Sequence, residues 1–389
     1  MSAVAIHADN KREIARRLLG WDPWLLGAVL VLIVFGVIMV YSASITLADR
    51  NTGNSMYFLF RQLAHVALGL GIMWIAAHSQ VRLWEQSGPV LLLAAIALLI
   101  AVLIPGVGSQ INGSTRWIRL GGFNVQPSEL AKVFMVIYVA GYLVRKQETL
   151  RNFTQGILMV GIVLAIIGTL LLQEPDLGTV VVLAATTMTM LFLGGVRFWH
   201  FFACIGAGVG AIAVLTLISP YRMARVTGFL NPWADPFDSG FQLVQALIAF
   251  GRGEWLGVGL GASVQKLFYL PAAHTDFIVA VIAEELGLFG VIALVALFAI
   301  LVGRAFKLSR MAEQANKIYH ARLSQGIGLL LGFQALINLG VNLGMLPTKG
   351  LTLPFVSYGG SSMLASCFAV GLLLAISREL QPVRGNHRD

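Results

Sequence analysis

His274, Thr275 and Asp276 open directly into a long apolar stretch, and Glu284 and Glu285 follow about two helical turns later. An acid inside a bilayer is costly enough to mark a functional-site candidate, with helix capping by Thr275 or Asp276 as the structural rival. Arg116, Arg119, Arg222, Arg225, Lys266 and Lys349 fall in segments that flank the same membrane face. Solvation or lipid headgroups explain any one of them alone. As a group beside Asp276 they point to an anionic substrate: cations clamp phosphate oxygens while a carboxylate accepts a proton, as displacement of a diphosphate leaving group requires. This spacing leaves transport and a structural scaffold open as rival readings. Glu129 and Lys132 share one helical face and can pair, structurally or catalytically. Turn formation and capping suffice to explain Glu174-Pro-Asp176.

The elements that must position these residues are membrane spans. Of 389 residues, 57% are hydrophobic and 12% charged, against roughly 25% charged in a soluble domain. An all-α integral membrane protein is expected. Ten windows are apolar and long enough to cross a ~30 Å hydrocarbon core: Trp24–Ser44, Met56–His78, Pro89–Ile104, Ser128–Val144, Gly156–Leu172, Leu177–Gly194, Phe198–Ser219, Asp276–Val302, Leu323–Leu346 and Pro354–Ser377. This divides the chain into a cytoplasmic segment 1–22, one polytopic domain 23–379 and a cytoplasmic tail 380–389.

Placing the basic N-terminus in the cytoplasm puts 17 of the 27 Lys and Arg on that side, including five between Arg304 and Arg322, as the positive-inside rule requires. The formal charge of +9 therefore needs no nucleic-acid partner. Cys204 and Cys367 lie in apolar runs and indicate neither a disulfide framework nor a metal site.

Two outer segments are too long to be mere connections. The first, 105–127, holds an aromatic and basic strand-like stretch bracketed by Gly113 and Gly121-Gly122. The second is a large loop, 220–275, between spans 7 and 8, with turn formers at 231–240 and a short amphipathic segment near Phe241–Phe250. Gly257-Val-Gly-Leu-Gly-Ala262 fits a relaxed dinucleotide pattern without a flanking βαβ unit, so a flexible loop is expected there. There is no P-loop, which argues against ATP-driven work. Gly328, Gly332, Gly340 and Gly344 give the ninth span small faces suited to internal packing. Pro354 to Ser362 combines Pro, paired Gly and hydroxyls, so irregular backbone is expected there.

Four stretches in order, Pro127-Ser-Glu-Leu-Ala-Lys132, Asn231-Pro-Trp-Ala-Asp-Pro-Phe-Asp-Ser-Gly-Phe-Gln242, Ala273-His-Thr-Asp276 with its continuation to Gly287, and Leu353-Pro-Phe-Val-Ser-Tyr-Gly-Gly-Ser-Ser362, resemble the signatures of the SEDS family of bacterial cell-wall polymerases. The Asn-Pro-Trp-Ala-Asp-Pro form is closer to its cell-division branch than to its elongation branch. The resemblance implies a ten-span, multi-pass glycosyltransferase of the bacterial inner membrane that polymerises lipid II at the periplasmic face, for septal wall synthesis in this branch. Both termini would be cytoplasmic and the 220–275 loop periplasmic.

In that family Asp276 matches the essential loop aspartate, as general base or metal-linked acid. Glu129 and Lys132 match a charged pair, and Ser357 and Tyr358 fall in the last signature. Arg222, Arg225, Lys266, His274 and Lys349 are the remaining candidates for substrate binding or support. Lipid II carries its own activated diphosphate, so no nucleotide is needed. A divalent cation, Mg or Mn, at Asp276 fits the chemistry, though no ligand cluster specifies one. The implied partners are lipid II, the lipid bilayer, a class B penicillin-binding protein (FtsI for this branch) and other divisome membrane proteins. A lipid II flippase and a noncatalytic divisome scaffold are the alternatives.

Overall fold

The structure, a computed structural model, describes residues 20–381 apart from 112–113, 121–122, 239, 268 and 348–349. Lys349, most of the N-terminal segment and most of the C-terminal tail lie outside the described residues. Each expected window coincides with a helix: α1 (Pro23–Thr52), α2 (Tyr57–His78), α3 (Val81–Leu103), α4 (Pro127–Arg145), α5 (Met159–Gln173, preceded by a π turn, Thr154–Leu158), α6 (Leu177–Leu193), α7 (Phe198–Ile218), α10 (Ile278–Gln314), α11 (Ile318–Asn342) and α12 (Gly360–Leu380), with α8 (Pro220–Leu230) and α9 (Phe241–Gly253) lying between α7 and α10. Among the described residues, nine helices are long and apolar enough to cross a membrane, and α6 is a shorter apolar helix.

Local chemistry sets the ends of these helices. Asp22 caps α1 by accepting from the Trp24 and Leu25 amides, Pro23 takes the first helical position, and Gly53 closes the helix at φ 66°. Asp22 also pairs with Arg304 of α10, fixing the start of α1 to that helix. Helix α10 outruns its expected end at Val302. The polar residues from Gly303 to Gln314 are mostly good helix formers, and Leu308 and Ala312 stay buried on one side of them.

The first outer segment folds as a three-stranded antiparallel sheet, β1 (Gly108–Ile111), β2 (Ser114–Leu120) and β3 (Phe123–Val125). Ile118 faces Val125, and Arg119 faces Asn124. Ser361, in the first turn of α12, accepts from the Gln126 amide at 2.8 Å and donates to the Asn124 carbonyl at 3.3 Å. These two bonds join the sheet to the helical bundle.

The second outer segment is not one loop. It holds α8 (Pro220–Leu230), a 3₁₀ turn (Pro232–Ala234) and α9 (Phe241–Gly253) before the chain re-enters the bundle. The expected amphipathic segment is thus a helix, α9, with Leu243, Val244, Ala246 and Ala249 buried. The small faces of α11 pack internally: a Cβ on Gly328 would lie 2.9 Å from Ala305 and one on Gly332 3.2 Å from Val302, both on α10.

Candidate active site

The helix expected to begin at Asp276 begins at Ile278, with Phe277 before its first turn and no side-chain cap of its own. Neither Thr275 nor Asp276 caps it. The amides of Thr275, Asp276 and Phe277 converge on the Ala272 carbonyl at 3.0, 3.1 and 3.3 Å, and the Thr275 hydroxyl donates there too. Asn342 of α11 supplies the missing cap by accepting from the Ala280 amide at 3.2 Å. Asp276 is therefore placed by its backbone, which leaves the carboxylate out of the capping role.

Three elements hold that backbone. Asn338 and Asn342 donate to the Asp276 carbonyl at 3.1 and 3.0 Å. Ser357 donates to the Thr275 carbonyl at 2.6 Å and accepts from the Leu353 amide, while the Tyr358 amide donates to the His274 carbonyl at 2.9 Å. The irregular backbone expected from Pro354 onward is the element that clamps residues 274–275. The carboxylate itself lies beside Gly350, where an added Cβ would sit 3.0 Å from Oδ2.

Gln334, Asn338 and Asn342 recur every fourth residue along one face of α11. Gln334 donates to the Thr352 carbonyl at 3.0 Å and accepts from the Lys132 ammonium at 2.9 Å, and Lys132 bonds Glu129 at 3.0 Å. The expected Glu129–Lys132 pair thus forms, and through Gln334 it supports the segment facing Asp276. Both members are buried, Lys132 at 1% exposure. Sequence reasoning missed these amides. Three of them in register within an apolar span were the signal.

Glu284 and Glu285 anchor the loop. At Gly287 α10 breaks with φ 65°, ψ −164°, and the carbonyls of Glu284 and Glu285 accept from the amides of Val258 and Gly259 at 2.9 and 3.1 Å. The glycine-rich run expected as a flexible loop is instead docked across this break. A Cβ on Gly257 would meet the Glu285 carbonyl oxygen at 2.2 Å, and one on Gly287 would meet the Gly257 nitrogen at 2.4 Å. The Glu284 carboxylate takes the Val264 and Gln265 amides and the Ser263 hydroxyl, with Arg252 at 3.5 Å. Glu285 pairs with Lys266 at 2.9 Å and accepts from Ser42 of α1. Lys266, expected among the outer cations, is a buried partner of Glu285.

His274 packs against Phe58 and Tyr358, with ring centroids 5.0 and 5.5 Å away. Burial pushes its imidazole down to about 4, so it is neutral at neutral pH and offers no positive charge to a diphosphate. Burial also raises the Tyr358 phenol, with Arg61 opposing. Arg222 and Arg225 lie on α8, where only their backbone is described.

The chain matches the cell cycle protein family of FtsW, RodA and SpoVE over residues 23–382. It is 54% identical to a probable peptidoglycan glycosyltransferase FtsW of Nitrosococcus halophilus, covering 92% of each chain, and 52% identical to one of Thioalkalivibrio sulfidiphilus, covering 97% of this chain and 96% of the relative. The chain belongs to the FtsW/RodA/SpoVE family. The fold is also shared. A solved structure described as a peptidoglycan synthase complex coordinating polymerization and crosslinking aligns with TM-score 0.76 at 28% identity, over 93% of this chain and 99% of that one. RodA of Thermus thermophilus aligns with TM-score 0.66 at 27% identity, over 93% and 98%. The resemblance drawn from the four sequence stretches is borne out.

A further carboxylate in this FtsW/RodA/SpoVE chain lies close to the same ground. Arg116 of β2 donates to the carbonyls of Glu174 and Pro175 and stands 3.8 Å from Asp176, pinning the three-stranded sheet to the α5–α6 turn. Asp176 caps α6 through Thr179, as expected. Two residues on, Gly178 abuts Leu351, whose carbonyl accepts from Asn338. Glu174 is fully buried, and neither of its carboxylate oxygens has a hydrogen-bond partner among the described residues.

Burial, and then the Asp176 carboxylate, push Glu174 up to about 8, with Arg116 opposing. The folded state therefore keeps a proton that the unfolded chain releases near pH 4.5, and stability declines as pH rises from about 4.5 through about 8. The rise from 4.5 to about 8 corresponds to at most about 5 kcal/mol, at about 1.4 kcal/mol per pH unit. Glu174→Gln should remove this decline, so that above pH 8 the variant melts higher than the parent in the same detergent. Parallel melting curves across pH 5–9 would contradict a buried neutral Glu174.

Proposed function

We propose that the chain polymerises lipid II into glycan strands, with Asp276 as the general base and residues 220–277 at the periplasmic face. The observation that carries this reading is the placement of Asp276: its backbone is held by Asn338 and Asn342, with Ser357 holding the neighbouring Thr275 carbonyl, while its carboxylate caps no helix. A group positioned in this way is suited to proton transfer. In the reaction an acceptor sugar hydroxyl attacks the anomeric carbon of the donor. The bond to the undecaprenyl diphosphate breaks, and the hydroxyl proton passes to the Asp276 carboxylate. The prenyl tails remain in lipid while the sugars meet the outer face.

Among the described residues no group of three or more His, Cys, Asp or Glu gathers as a metal site. A divalent cation at Asp276 would take its other ligands from diphosphate oxygens and water, a donor set that suits Mg or Mn. Such a cation would neutralise charge on the departing diphosphate. The relatives' names support glycan synthesis, and the synthase complex, which couples polymerization to crosslinking, supports work alongside a crosslinking partner, a class B penicillin-binding protein in this reading.

The test combines the purified chain, its cognate class B penicillin-binding protein and labelled lipid II. Long glycan strands resolved on a gel are expected. Transbilayer movement of lipid II without consumption would identify a flippase, and unchanged lipid II on one leaflet would leave a scaffold.

A further inference from the structure

The end of the bundle opposite Asp276 carries a cationic groove that glycan synthesis does not use. Helix α5 runs from there to the Glu174 turn, and α6 returns to it, so residues 151–155 and 197–200 meet at one membrane boundary. They line an open surface groove of about 640 Å³, with Arg151, Asn152, Thr154, Arg197 and His200 among its walls. The aromatic contact between Phe153 and His200, 5.3 Å between ring centroids, joins the two walls.

The groove is built for an anion. Neither the Arg151 nor the Arg197 guanidinium has a hydrogen-bond or ion-pair partner among the described residues, and Glu148, three positions before Arg151, makes no ion pair with it. His200 adds a buried Nδ1 with no hydrogen-bond partner.

The surroundings identify the carrier of that anion as lipid. Phe153 is 47% exposed, Phe198 55% and Trp199 81%, the aromatic belt of a membrane interface. Exposed Met159, Ile162 and Ile166 continue down α5, and Phe202 continues down α7, as an apolar track for acyl chains. By contrast, the groove of Lys307 and Arg310 is lined by α10 alone.

We propose that this groove binds the phosphodiester headgroup of an anionic phospholipid in the leaflet opposite Asp276, with Arg151 and Arg197 as the phosphate clamp. Arg donors match phosphate oxygens, and each cation at a membrane surface favours an anionic lipid by about fivefold.

The full chain, in nanodiscs of phosphatidylcholine with 10% phosphatidylglycerol, tests this by mass spectrometry of lipids retained on release from the disc. Retained phosphatidylglycerol should exceed its bulk share. Arg151→Gln/Arg197→Gln should lower that excess by about 25-fold at most, two factors of about five, while Lys307→Gln/Arg310→Gln, which removes the same charge, should keep it. Melting temperature in pure phosphatidylcholine should match for both variants, since neither arginine supports the fold. Equal loss in the two variants would reduce the site to diffuse basic attraction. Displacement of the lipid by millimolar glycerol phosphate would assign the groove to a soluble phosphate and overturn the lipid reading.

Discussion

Asp276→Asn is expected to keep the fold and to lower polymer formation from lipid II by ~10²–10⁴-fold, the usual loss when a positioned general base is removed. The substitution leaves the main-chain contacts that place the residue. Asn338 and Asn342 bond its main-chain carbonyl, and Ser357 bonds its neighbour's, so none of them depends on the side chain. Capping predicts almost no change, because Asn is itself a good N-cap and because Asn342 already serves the Ala280 amide. Asp276→Glu should stay impaired as well. One methylene more moves the carboxylate, and Gly350 stands so close that a Cβ there would lie 3.0 Å from Oδ2. Labelled lipid II followed into polymer, with matched amounts of parent and variants each beside the same transpeptidase, measures both. Near-normal polymer from the Asn variant would remove Asp276 from the chemistry.

Much of this arrangement was legible in the sequence because the membrane imposes it. A span must be apolar over its whole length, and all ten windows coincide with helices. The Glu129–Lys132 pair was legible for a local reason, since three residues apart on a helix are neighbours. What escaped depends on residues far apart in the chain. Asp276 looks like a cap until Asn342, 66 positions later, is seen to do that work. The run Ala283-Glu-Glu-Leu-Gly287 reads as continuous helix, and only the approach of Gly257 shows why the backbone turns at Gly287. The outer cations read alike as charges. Arg116 is occupied by the carbonyls of the 174–175 turn and Lys266 by Glu285, partners that spacing along the chain does not reveal.

Lys266→Met should destabilise the protein by about 3–5 kcal/mol, the cost of stranding one member of a buried ion pair. Glu285 has no exposed surface and would keep only the Ser42 hydroxyl as a partner, while the Gly261 carbonyl, 2.7 Å from the ammonium, would lose its donor. The same ammonium joins α1, α10 and the docked loop, so its loss should also loosen the segment that leads to Asp276. Lys266→Met/Glu285→Gln removes both charges and should recover most of the lost stability. This pattern separates the two roles open to Lys266. An anchor is rescued by neutralising Glu285, in melting temperature and in polymer yield together. A clamp on substrate diphosphate is not rescued: Lys266→Met would melt like the parent, raise the lipid II concentration needed for half-maximal rate, and gain nothing from Glu285→Gln. Thermal melts and polymer assays on the parent, both single variants and the double variant decide between them, and additive losses in the double variant would rule out the anchor.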